Sequence, residues 1–200
     1  MLKKIKAAEA WLNRLQVDPV KLRTQHGMKG KKHFVEWLIA YQSIIDFYSG
    51  IPGGVNEVDR VRAHVLRALS VLNTSAYHDL GDADGKRFAE DALSYLYACS
   101  LAQGFGFDTK FYLSEISKIL PRIYAHAPTR GAGQRMALIR RLSALGLPAT
   151  DTMGQLIDKT QIRLRKPVAE LLKVHVYLIT HEISHLTDAG QHPPELLNAE

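Results

Sequence analysis

Apolar residues recur along the chain at spacings of three and four, and no segment alternates convincingly between apolar and polar positions, so the pattern predicts helices throughout. Ile5, Ala8, Trp11, Leu12 and Leu15 make the first stripe, closed by Asp18-Pro19. After a polar loop over 21–30, a second helix is predicted over 31–48 through Phe34, Trp37, Leu38, Tyr41, Ile44, Ile45 and Tyr48, and the glycines and proline of 49–54 stop it. A third is predicted over 56–72, with Val58, Val61, Val65, Leu66, Leu69 and Leu72 inward. Helices follow over 86–103, 109–125, 133–145 and 151–162, with Asp108 and Asp151 placed to cap two of them. The last is predicted over 167–190, opened by Pro167 and closed by Gly190.

The expected class is all-α, with about eight helices. Short connections favour antiparallel neighbours, hence stacked αα-hairpins curved into a superhelix or partial α/α toroid, as a single all-helical domain over 1–200. Two loops could suggest ligands and do not hold up. The stretch 79–85 lacks the carboxylate spacing of a calcium loop and reads as a turn with helix caps. The stretch 130–135 precedes a helix but lacks a Walker ending and a preceding strand, so it reads as a plain interhelix turn, with an anion held by Arg130 and Arg135 as the alternative.

Composition adds little to this fold and narrows the function. Two hundred residues, 46% hydrophobic and 23% charged, can bury a core without disulfides, and lone Cys99 in an apolar run is expected to be a buried hydrophobe. The basic start, Met1 to Lys6, continues into an amphipathic pattern, so neither a signal peptide nor a membrane span is expected; the predicted location is cytoplasmic with no membrane partner. A net charge of +6 invites an anionic partner, but the cations are scattered and no nucleic-acid-binding signature accompanies them, which argues against nucleic acid.

Candidate chemistry gathers in the last predicted helix. Val168, Leu171, Leu172, Ile179, Ile183 and Leu186 share a broad face with His175 and Glu182, and Val174, Val176 and Leu178 extend the apolar area nearly all round. The middle of this helix is therefore expected to be buried, with its polar groups partnered. His181, His185 and Asp188, at i, i+4 and i+7, form a second stripe able to share one ligand or ion. Burial would tune such groups for acid–base work, with His181 as general base, Asp188 orienting it, and Glu182 and His175 assisting. His181, His185 and Asp188 also make a candidate site for a divalent metal, zinc, iron or manganese. His181-Glu182-x-x-His185 spells the zincin pattern, yet no strand is predicted to hold a substrate beside it; His192 and Glu195 are third-ligand candidates, but His192 is one residue late for the extended spacing and Asp188 replaces its glycine.

With Ala7 to Leu12, Leu142 to Thr160, and then Tyr177, Thr180, His181, Leu186, Thr187, Asp188 and Gly190, the chain resembles a bacterial all-helical family of unknown function, often found beside specialised-metabolite genes. Its signature ends in Tyr-x-x-Thr-His-x-x-x-x-Leu-Thr-Asp-x-Gly. The family is usually apolar at Glu182 and aromatic at Ser184, His185 and Ala189, so the resemblance puts His181 and Asp188 ahead as shared functional residues. With the His/Asp/Glu cluster, this gene context makes the leading expectation an enzyme of specialised-metabolite or modified-peptide biosynthesis acting on a small molecule or peptide substrate. The competing expectations are a non-catalytic scaffold that binds a peptide or protein through Trp37, Tyr41 and Arg130, and, behind it, a basic nucleic-acid-binding protein.

Overall fold

The computed structural model describes residues 1–15, 29–69, 85–127, 131–164 and 167–187, and every regular element among them is helical, in accord with the all-α pattern. The chain divides into two compact units, Met1–Ile119 and Leu120–Glu200. The division falls just before Pro121 inside a helix, where the proline has no N–H to continue the backbone ladder.

The first unit holds α1 (Leu2–Arg14), α2 (Lys29–Ser49), α3 (Val55–Ala68), α4 (Gly85–Gly104) and the start of α5 (Lys110–His126). Helix α2 packs against α1, α3 and α4, because its buried residues, among them Phe34, Leu38, Tyr41, Ile45 and Tyr48, recur at helical spacing. The turn from α2 to α3 depends on Gly54, where a Cβ would lie 1.9 Å from the Tyr48 carbonyl oxygen. Cys99 is buried in α4, as its apolar surroundings predict.

The second unit holds the rest of α5, then α6 (Ala132–Ala144), α7 (Met153–Ile157), α8 (Gln161–Leu164), a 3₁₀ turn (Val168–Glu170) and α9 (Lys173–Leu186). Met136, Ile139, Leu156 and Leu186 form its core, with Met153, Ile157 and Ile162 packed at the margin. Beyond α6, Gly146 takes φ 69°, so that its own N–H reaches the Ser143 carbonyl and the Leu147 N–H reaches that of Leu142.

One predicted helix is broken by local side-chain bonds, and another starts later than its pattern predicts. The helix expected over 151–162 splits into α7 and α8: the Thr160 hydroxyl donates to the Ile157 carbonyl (2.6 Å) and accepts the Arg163 N–H (3.2 Å), ending one helix and opening the next. Asp151 does not cap α7. Arg135 takes its carboxylate with Nε (3.0 Å) and Nη2, and Thr152 caps instead through a reciprocal pair of bonds with Gln155. The same pairing satisfies Arg135, so its expected anion-binding role gives way to an internal ion pair. The helix expected from Pro167 starts only at Lys173. Residues 79–84 of the turn read over 79–85, together with Arg130, Asp188, Gly190, His192 and Glu195, lie outside the described residues.

Candidate functional site on the last helix

Helix α9 opens on an imidazole. Leu172 is extended, and its carbonyl accepts the N–H groups of His175 (2.8 Å) and Val176 (3.2 Å). His175 Nδ1 in turn accepts the Leu172 N–H at 3.1 Å, the part an acid or amide usually plays three residues into a helix. A nitrogen that accepts carries no proton, so neutral His175 is protonated on Nε2. At the other end, the Leu186 carbonyl accepts from Arg140 Nη2 at 2.8 Å. Between them Glu182, only 4% exposed, accepts the Ile162 N–H on Oε2 at 3.3 Å and thereby satisfies one of the free donors at the start of α8. Among the described side chains of α9, Glu182 and Leu186 are the buried ones.

The rest of the helix is open, and the expected burial of its middle is not what the structure has. Tyr177 is 59% exposed and Val174 54%, and Val176, Leu178 and Ile183 are exposed as well. Helix α9 meets α6 and α8 along one narrow side, so a sequence apolar nearly all round leaves most of its apolar positions outside the contact. On the open side the Tyr177 carbonyl accepts two side chains, the Thr180 hydroxyl at 2.8 Å and His181 Nδ1 at 2.9 Å. The Tyr177 and His181 rings lie 4.0 Å apart between centroids. A carbonyl only accepts, so Nδ1 carries the proton and neutral His181 has a bare Nε2. The two imidazoles thus hold opposite tautomers for different reasons, one for capping and one for display.

The described members of the predicted acid–base group, Glu182, His181 and His175, take different surroundings. Glu182 faces inward and is bonded to backbone, His181 is exposed about 100° further round the helix, and His175 is spent at the helix start. The side chain of His185, and Asp188 altogether, lie outside the described residues. Among the described residues no group of three or more His, Cys, Asp or Glu is placed to hold a metal ion. The zincin arrangement does not fit, since its glutamate must stand beside the metal-bound water and Glu182 is turned into the unit. Trp37 and Tyr41, expected to line a partner groove, are buried in the first unit.

Buried Tyr41 belongs to a polar cluster that the sequence reading passed over. Glu9 of α1 accepts from Arg60 Nη1 on one oxygen, and from Arg60 Nη2 (2.9 Å) and the Tyr48 hydroxyl (3.2 Å) on the other, while the Tyr41 hydroxyl donates to Asn13. The Arg60 hydrogen bonds hold Glu9 below the usual carboxylate range against the opposing effect of burial. Burial, reinforced by the Glu9 charge, pushes Tyr41 up to about 12. His64, near the Tyr41 and Trp37 rings, is pushed down by burial and then by Arg67. One signal for this cluster is in the sequence: Glu9 occupies the stripe of Ile5 and Leu12, where an acid needs a partner.

A family model described as a domain of unknown function, DUF6895, matches residues 55–200. The chain belongs to the DUF6895 family. The DUF6895 region begins at the first residue of α3 and includes α9, whereas α1 and α2 precede it. No curated protein and no solved structure matches the chain significantly.

Proposed function

We propose that this DUF6895 protein is a helical protein-binding module whose outward α9 face receives an apolar, uncharged segment of a partner protein. The observation that carries the reading is the pair of Thr180 and His181 side chains tied to the Tyr177 carbonyl, with the Tyr177 ring packed against the His181 ring, beside exposed Val174, Val176, Leu178 and Ile183. Exposed apolar surface of this kind marks interaction sites, and tyrosine often supplies much of the binding energy. Side chains already held by internal bonds lose less freedom on binding. The carboxylate and ammonium groups of α9 are confined to buried Glu182 and to Lys173 at its start, so the face suits a partner surface without charge. The Tyr-x-x-Thr-His spacing in the resembled signature falls on these same three residues, which adds support.

Quantitative co-purification from the source cells tests the reading. Ile183→Glu places a charge on the face and Tyr177→Ala removes its aromatic centre, and both are expected to lose a partner that the unaltered chain retains. An identical set of bound proteins for the unaltered chain and Ile183→Glu contradicts it.

A second reading rests on the bare Nε2 of His181, the form in which imidazole takes a proton or a divalent metal. It makes the protein an enzyme of specialised-metabolite or modified-peptide biosynthesis with His181 as general base or ligand. Equilibrium dialysis against zinc separates the two. Stoichiometric uptake lost in both His181→Ala and His185→Ala favours the enzyme, and no uptake, or equal uptake in every variant, favours the binding module.

A further inference from the structure

Helix α1 lies outside the DUF6895 region and has a different surface from α9. It carries four cations, Lys3, Lys4, Lys6 and Arg14, and one acid, Glu9. Glu9 is turned inward onto Arg60 and Tyr48, and Lys6 lies 3.7 Å from Glu57. At the helical angle of about 100° per residue, Lys3, Lys4 and Arg14 share the outward face with Ala7, Trp11 and Leu15. All six are exposed, Trp11 by 55%. No acidic side chain pairs with Lys3, Lys4 or Arg14 among the described residues.

We propose that this face of α1 docks on an anionic phospholipid surface, with Lys3, Lys4 and Arg14 among the headgroup phosphates and Trp11 and Leu15 at the acyl boundary. Charge complementarity selects an anionic partner, since the one acid of the helix is withdrawn from the face. The apolar residues select lipid over nucleic acid: a phosphate backbone offers Leu15 nothing apolar, whereas the headgroup boundary takes an aromatic ring, an aliphatic side chain and flanking cations together. Docking leaves the inward residues Glu9 and Leu12 in place, so α1 stays attached to its unit while bound. It is a surface contact, because no described helix is long and apolar enough to cross a membrane.

The two tryptophans make the test direct. Trp37 is 5% exposed and Trp11 faces outward, so a fluorescence shift on adding vesicles reports Trp11. The full chain is mixed at low salt with vesicles of phosphatidylcholine alone or containing phosphatidylglycerol. Co-sedimentation and a blue shift are expected with the anionic vesicles only, and salt should reverse both. Lys3→Glu with Lys4→Glu should weaken binding roughly tenfold or more, whereas the charge-matched Lys110→Glu with Lys159→Glu should change it little. Trp11→Phe should sediment but give no blue shift. The proposal is overturned by equal binding to both vesicles, by no binding, or by equal weakening in the two charge-matched variants. Stronger retention of a single-stranded oligonucleotide than of the anionic vesicles, lost in Lys3→Glu with Lys4→Glu, also overturns it and gives the face to nucleic acid.

Discussion

His181 and Glu182 adjoin in sequence, yet one is exposed and the other buried, about 100° apart around α9, so their chemistry diverges. Glu182 is a structural acceptor for the Ile162 N–H. Glu182→Ala leaves that donor unpaired and should cost about 1–3 kcal/mol of stability in chemical denaturation, whereas Glu182→Gln keeps an acceptor and should cost less than about 1 kcal/mol. Equal losses for the two would show that the bond is not what matters. For His181, the bond to the Tyr177 carbonyl requires the proton on Nδ1, and for His175 the bond from Leu172 requires it on Nε2. Nitrogen-15 NMR at a pH where both rings are neutral should find these opposite tautomers, and a single shared tautomer would refute the geometry of the outward face.

Helices were largely legible in the sequence because their apolar stripes are local facts. What lies against a stripe is not local, and α9 shows the difference. Its pattern resembles that of a buried helix, yet α6 and α8 cover one side, and the side holding Tyr177 and His181 stays open. The break at Thr160 and the cap at Thr152 were hidden for another reason: hydroxyls can bond nearby backbone in many settings, and the competing Asp151 is claimed by Arg135 from another helix. The attachment of α1 was partly legible, since Glu9 sits on the apolar stripe, but Arg60 lies fifty-one residues away. That attachment predicts a pH dependence. Glu9 is held below its unfolded value, so its contribution is full above the ordinary glutamate pKa, about 4.3, and is lost as pH falls through the lower folded value. Denaturation midpoints measured down this acid range should fall less steeply for Glu9→Gln than for the unaltered chain. Glu9→Ala at neutral pH should cost about 2 kcal/mol, less than for a fully buried pair because Arg60 is half exposed to water.

At the scale of the whole molecule, the net charge of +6 is unevenly expressed: the outward face of α1 is cationic and that of α9 is nearly without charge. The two faces should therefore respond differently to salt. Partner binding through α9 should persist as ionic strength rises through the physiological range, and lipid binding through α1 should fall steeply, since exposed charges are screened over about 8 Å there. On the proposed reading, the α9 face meets another protein. Photo-crosslinking in the source cells, with p-benzoylphenylalanine in place of Tyr177 in the full chain, tests it most directly. The predicted result is a dominant covalent adduct to another polypeptide, lost when Ile183→Glu is added; adducts confined to the chain itself, or an intermolecular adduct indifferent to Ile183→Glu, would contradict it.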